Sequence, residues 1–160
     1  VYKRQMINQE QYLKEILFQK LRTLHADSPP KWGIMSAQEM VEHLSSLFLF
    51  TIEKIKGVSF FDEEKTLRGY NYAIRDKQPF KKEIKIPGLE KPQPLRFKSL
   101  EEAIAVLEDL VGKFYAFFAD DKNKKTRHPA LGLLNFEEWE WNQYSHTRHH
   151  LTQFGLEEEV

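Results

Sequence analysis

The sequence predicts an all-α protein, one small helical bundle, and three observations carry that expectation. Apolar residues recur at helical spacing in four segments. Two of those segments open on a Ser with a Glu three residues on, the pattern of a capping box. Prolines or glycines punctuate the segment ends. The 160 residues suit a single domain, 1–160, with one core.

The first helix is expected from about Asn8 to His25, where Tyr12, Ile16, Leu17, Leu21 and Leu24 fall on one face. Ser28-Pro29-Pro30 stops it, because proline lacks the N–H a helix needs. The second starts at Ser36, with Ser36-Ala37-Gln38-Glu39 as its capping box and Met40, Leu44, Leu47 and Phe48 on one broad face. Its end is expected near Lys56-Gly57, where Gly supplies a left-handed cap. The third starts at Ser99, again with a capping box through Glu102, and runs along Ala103, Val106, Leu107, Leu110, Val111, Phe114 and Phe118 to a charged turn, Asp120 to Lys125. The fourth starts near Asn135, with Glu138 three residues on, and ends at Gln153 before Gly155. Between helices two and three lie about 40 residues, far more than the roughly 2–8 usual in bundles, so a functional connection or a lid over one end is expected. Within it, Lys82-Glu83-Ile84-Lys85-Ile86 alternates like a short strand.

Composition removes several classes of function. Lys+Arg and Asp+Glu are balanced at 24 each, so no net basic field exists to hold a phosphate backbone, and no nucleic-acid partner is expected. The patch Lys122, Lys124, Lys125 and Arg127 reads first as a solvated loop. With no cysteine there is no disulfide, thiolate ligand or cysteine nucleophile, which is compatible with a reducing cytoplasmic setting. No apolar run approaches the roughly 20 residues of a membrane helix, and the first residues lead into a polar helix, unlike a signal peptide.

The chemistry concentrates in histidines. His146 and His150 lie one helical turn apart, about 40° around the axis, so both imidazoles can reach one ion. His149 points roughly 100° away from His150; the spacing alone leaves a pairing with His146 open. Trp139, Gln143 and Gln153 share the His146–His150 face, which is apolar at the helix start and polar near the histidines, like a site lining. His43 sits among Met40, Leu44 and Leu47 on the inward face of helix two, where a buried neutral ring needs partners for both nitrogens. Three imidazoles would leave one coordination position open, the pattern of catalytic zinc; nickel, iron and copper also accept imidazole, with zinc or nickel the first expectation. Metal affinity would then fall as pH drops through the imidazole pKa, roughly 6.5 when unperturbed. His25 reads as a helix-end residue near the dipole. His128, before Pro129, reads as a surface loop histidine or one at the mouth of the site. Glu39 is explained by capping and Glu42 by a solvated face, with either left open as a carboxylate near the metal.

These residues resemble a known family. Trp32-Gly33-Ile34-Met35-Ser36-Ala37-Gln38-Glu39-Met40-Val41-Glu42-His43-Leu44 resembles the first metal-ligand segment of the DinB-like superfamily, and His146-Thr147-Arg148-His149-His150-Leu151-Thr152-Gln153 resembles its second. His128-Pro129-Ala130-Leu131-Gly132, Trp139 and the ending Gln153-Phe154-Gly155-Leu156 look like one subset of that superfamily. The resemblance implies an up-down-down-up four-helix bundle with a long helix 2–helix 3 connection, and a divalent metal held by His43, His146 and His150. It leaves His128, His149, Gln153 and Trp139 for the second shell or pocket. It also implies a bacterial, cytoplasmic protein, often a homodimer, and in some members a transferase that uses a low-molecular-weight thiol such as bacillithiol or mycothiol.

Three functions compete. A thiol-dependent S-transferase would place a cofactor thiol at the open position, attack a small-molecule electrophile, and cover the thiol's remainder through Tyr70, Tyr72, Arg75 and Arg96. A metal-dependent hydrolase would activate water and need a base from His128, His149 or Glu39. A non-catalytic bundle would use the metal for stiffness or the pocket for a ligand.

Overall fold

Capping groups and apolar stripes place the helices where local chemistry allows them to start. The computed structural model describes residues 8–82 and 91–158. Helix α1 comprises Gln9–Gln11, a π-helical turn Tyr12–Ile16 and Leu17–Leu21, with the Asn8 side chain accepting from Gln11 N. Helix α2, Ala37–Thr51, has the full capping box: Ser36 accepts from Glu39 N and Glu39 accepts from Ser36 N. Helix α3, Glu63–Tyr70, is capped by Asp62 and continues into a π-helical turn, Asn71–Arg75. Helix α4 spans Leu100–Phe118, a two-stranded antiparallel hairpin pairs β1 (Thr126–His128) with β2 (Gly132–Leu134), and helix α5 spans Phe136–Gln153. The described residues are thus mainly helical, with one small sheet.

Several boundaries differ from the sequence reading. Helix α2 stops at Thr51, and the left-handed residue after it is Glu53 (φ 59°), not Gly57. Gly57 serves a close approach instead, since a Cβ there would lie 2.8 Å from Arg127 Cβ. Ser99 accepts from Glu102 N as expected, but the Glu102 carboxylate takes Lys98 N, so only half of that capping box forms. The long connection contains α3, which sequence periodicity did not predict. The expected strand Lys82–Ile86 lies largely outside the described residues.

The core is a single apolar cluster. It draws Leu13, Leu17 and Leu21 from α1, Met40, Leu44 and Phe48 from α2, Leu107, Val111, Phe114 and Phe118 from α4, and Trp139 and Leu151 from α5. The start of α2 meets the approach to α4, where Gln38 Nε2 donates to Phe97 O (2.8 Å), and farther along Phe48 packs edge-on against Phe114 (5.8 Å). Early α1 meets mid-α5 through Tyr12 and Tyr144 (5.1 Å), and late α1 meets the residues after α5 through Lys20 and Glu157 (2.8 Å). Helix α1 crosses α4 through Lys14 over the Tyr115 ring (4.7 Å) and Arg22 on Glu108 (2.9 Å). No described helix is long and apolar enough to cross a membrane.

Candidate metal centre

Helix α5 carries His146 and His150 one turn apart, and α2 brings His43 to them from the facing side. The ring centroids stand 4.9 Å (His43–His146), 4.7 Å (His43–His150) and 4.7 Å (His146–His150) apart. His43 Nε2 and His146 Nε2 are 3.1 Å from each other. One nitrogen from each ring lies within 4.8 Å of the others, so the three histidines could hold one metal ion. Zinc–imidazole bonds of about 2.0–2.1 Å in a tetrahedron put ligand nitrogens roughly 3.4 Å apart, so small ring rotations close the site. His146 and His150 are buried, 7% and 8% exposed, whereas His43 reaches solvent. The site therefore opens on the His43 side.

The hydrogen bonds around His150 fix its tautomer. Gln153 Nε2 donates to Trp32 O (3.0 Å), which turns Gln153 Oε1 toward His150 Nδ1 (2.7 Å). An amide oxygen only accepts, so the His150 proton sits on Nδ1 and the Nε2 lone pair is free for a metal. The loop that makes this possible needs glycine. Gly33 has φ +80°, and a Cβ there would meet Gln153 Nε2 at 2.7 Å. Lys31 N adds a 2.7 Å bond to Gln153 O, clamping loop and helix end together.

All three rings are held neutral. Burial drives the pKa of His146 well below the ordinary 6.5, reinforced by the His150 and His43 rings. Burial does the same to His150, with His43 adding to it and the Gln153 bond opposing it. His43 is lowered to about 4, first by desolvation from the surrounding protein and then by His149. Neutral imidazole is the ligating form.

The other expected residues divide. Gln153 supports the triad directly. His149 is half-buried beside it, its ring 5.0 Å from His150, 5.4 Å from Phe80 and 5.9 Å from Trp32, so it lines the site without joining the ligand set. His128 is not a free surface-loop residue, and it is among the groups that act electrostatically on His146. It ends β1, its ring lies 5.1 Å from Trp139, and its Nδ1 accepts from Ala130 N and Leu131 N. Burial lowers its pKa to about 3. Trp139 is fully buried, with Nε1 donating to Thr126 Oγ1 (2.8 Å), and is core rather than pocket. His25 is exposed at the end of the first helical segment.

Glu42 is not on a solvated face. It is 5% exposed and accepts from Arg96 N (2.7 Å) and Gln38 Nε2 (2.9 Å). Burial alone would raise its pKa, but these bonds and the Arg96 charge bring it below the usual value. The four residues expected to cover a thiol are engaged elsewhere: Tyr70 on Glu138, Tyr72 on Pro79 O, Arg75 on Asp76 and Arg96 on Glu42 and Ser46. Trp32 and Phe80 are the site neighbours that sequence reasoning passed over. Trp32 opens the quoted motif, so its position was a signal; Phe80 lies in a stretch with no periodicity to mark it.

Comparison with protein-family models, curated proteins and solved structures finds no match to this chain.

Proposed function

We propose that this chain is a DinB-like up-down-down-up four-helix bundle. In this reading it binds one divalent ion, zinc or nickel, through His43, His146 and His150, and acts in a bacterial cytosol as a metal-dependent transferase joining a low-molecular-weight thiol to a small-molecule electrophile. The bundle reading is supported by the contact pairs. Starts of α2 and α4 meet, α1 runs alongside α5 in the same sense, α1 crosses α4 in the opposite sense, and early α2 meets late α5. Those relations give α1 and α5 one direction and α2 and α4 the other.

The observation that carries the metal reading is the pairing of the 3.1 Å His43–His146 approach with a His150 tautomer fixed by Gln153. A divalent ion there supplies a lowered thiol pKa, hence thiolate at neutral pH. The chain's own part is to orient three neutral rings, exclude water on the His146 and His150 sides, and leave the His43 side open to a ligand. The sequence has no cysteine, so the nucleophile must come with the cofactor. A hydrolase is less well supported, because His128 is committed to Ala130 N and Leu131 N and Glu39 to Ser36 N, leaving only His149 as a base. A screen of bacillithiol, mycothiol and other small thiols with monochlorobimane should give a rate that chelator abolishes and metal restores. No metal-dependent rate with any thiol would contradict the transferase reading.

The pH dependence follows from the lowered imidazole pKa values. The rings stay neutral in the folded chain below pH 6.5, so metal occupancy should be nearly flat from pH 7 to 6 and fall only in stronger acid, rather than at the unperturbed 6.5. In the metal-free chain the unfolded state takes up these protons first, so stability should decline as pH falls below about 6.5 and continue down through the folded values. Elemental analysis and melting curves across pH 4–8 check both. Half-loss of metal at pH 6.5 from folded protein would contradict the preorganised neutral site.

A further inference from the structure

A cavity of about 400 Å³ opens between the outer face of the hairpin and the turn after α2, and it shares no residue with the triad. Its hairpin wall is Lys125, Arg127 and Leu133. Arg127 and Leu133 stand directly opposite each other in the ladder, while Thr126 and Leu134 turn into the core, and alternation carries Lys125 to the outer face. The other wall is Phe50, Glu53 and Lys56, from the last turn of α2 and the residues that follow it.

The two walls are tied together on several sides. Thr126 Oγ1 donates to Thr51 O (2.8 Å), Arg127 Nη1 donates to Ser59 Oγ (3.2 Å), and Phe60 N donates to Pro129 O (2.8 Å). Gly57 lies so close to the hairpin that a Cβ there would crowd Arg127 Cβ. These ties fix the spacing of the walls, so the cavity belongs to the fold.

The cations around it are unspent. In the basic turn, Lys122 lies over the Phe136 ring (5.2 Å), and Lys124 lies over Phe117 (4.0 Å) and pairs with Asp120 (3.4 Å). Lys125 and Arg127 line the cavity instead, with Lys56. Arg22, Arg68, Arg75, Arg96 and Arg148 each pair with a carboxylate, so Arg127 alone among the described arginines has none. Its guanidinium meets only the Ser59 hydroxyl, leaving Nε and Nη2 to donate elsewhere. The Lys56 and Lys125 ammonium groups make no hydrogen bond or ion pair among the described residues, and Glu53, the one carboxylate in the lining, pairs with no cation there. The cations are not needed as helix caps. Leu49 O accepts from Lys54 N and Ile55 N, Phe50 O from Glu53 N, and Thr51 O from Thr126 Oγ1. Three cations against one carboxylate leave the lining a surplus of two positive charges.

We propose that this cavity binds a small phosphate monoester, its phosphate held by Lys56, Lys125 and Arg127 and its compact apolar body lying against Phe50 and Leu133. A phosphate monoester carries about −1.5 to −2 at neutral pH, which matches the surplus; a carboxylate would neutralise only half of it. The planar guanidinium presents paired donors to phosphate oxygens, and the ammonium groups add point charges. Leu133 is half exposed, so an apolar surface stands ready beside the cations. The site is separate from the metal centre and does not depend on it.

The test is calorimetric titration of the full chain, chelator-treated and metal-loaded, with phenyl phosphate, benzoate and inorganic phosphate. Phenyl phosphate should bind saturably and equally in both forms of the chain. Benzoate, which keeps the ring and halves the charge, should bind about tenfold more weakly. Inorganic phosphate, which lacks the apolar body, should bind several-fold more weakly. The double variant Lys125→Gln, Arg127→Gln should weaken phenyl phosphate at least about tenfold. Glu53→Gln removes the one opposing charge and should tighten it several-fold, a gain that a misfolded variant cannot imitate. No saturable binding, equal binding of benzoate and phenyl phosphate, or a folded double variant that binds like the parent would overturn the site. Binding seen only in the metal-loaded chain would place the phosphate on the triad and overturn it equally.

Discussion

Gln153→Leu is expected to weaken metal binding by about 10- to 100-fold while the chain stays folded. The side chain touches no open position of the site. It accepts the His150 Nδ1 proton at 2.7 Å and is itself oriented by its 3.0 Å bond to Trp32 O. Leu is close in size but offers no acceptor, so His150 can place its proton on either nitrogen and its ring loses a fixed direction. Trp32 O also loses its donor, which loosens the loop around Gly33. Gln153→Glu separates the two effects, since it keeps an acceptor for His150 but removes the donor to Trp32 O. It should retain more affinity than Leu. Competition against a chromogenic chelator measures the change, and equal affinity of parent and Leu variant would remove Gln153 from the site.

Trp139→Ala should cost about 3–5 kcal/mol of stability, the usual range for deleting a buried large aromatic side chain. At roughly 2–4 °C per kcal/mol for a chain of this size, the melting temperature should fall by roughly 6–20 °C. Trp139 is fully buried, and its indole N–H anchors Thr126, which in turn donates to Thr51 O at the end of α2 (2.8 Å). The Thr51 hydroxyl, beside that carbonyl, accepts from Gln143 Nε2 (3.0 Å). The residue therefore ties the hairpin, α2 and α5 together near the start of α5. Trp139→Phe keeps most of the buried area and should lose only about 1–3 kcal/mol, from the unpaired Thr126 and the smaller ring. A Trp139→Ala chain that melts with the parent would show that this tie carries no stability. Metal affinity should change far less than in Gln153→Leu, because Trp139 contacts no ligand ring.

These two residues also show what a sequence can and cannot disclose. Helices α2 and α5 were legible because their capping residues and apolar periods are local, and local chemistry survives folding. The three histidines were legible as a group because two lie one turn apart and the third interrupts an apolar face. Helix α3 was not, since its eight residues bury nothing and are marked only by an Asp cap. The hairpin was hidden because its strands are three residues each, too short for alternation to register. The contacts of Trp139 and His128 were not legible for one reason. Nothing local in the sequence announces the hairpin that folds back and pairs the two rings at 5.1 Å. Glu42 was misread because the partner that buries it, Arg96, is 54 residues away. Non-local contacts of that kind leave no periodicity to read.

If the three imidazoles bind one metal ion, elemental analysis of protein purified without an affinity-tag metal will detect it. The parent chain and a His43→Ala, His146→Ala, His150→Ala variant, both shown to be folded by circular dichroism, are compared after reconstitution with zinc and with nickel. About one ion per chain is expected in the parent and none in the variant. A parent that takes up no ion, or a folded variant that takes up as much as the parent, would contradict it.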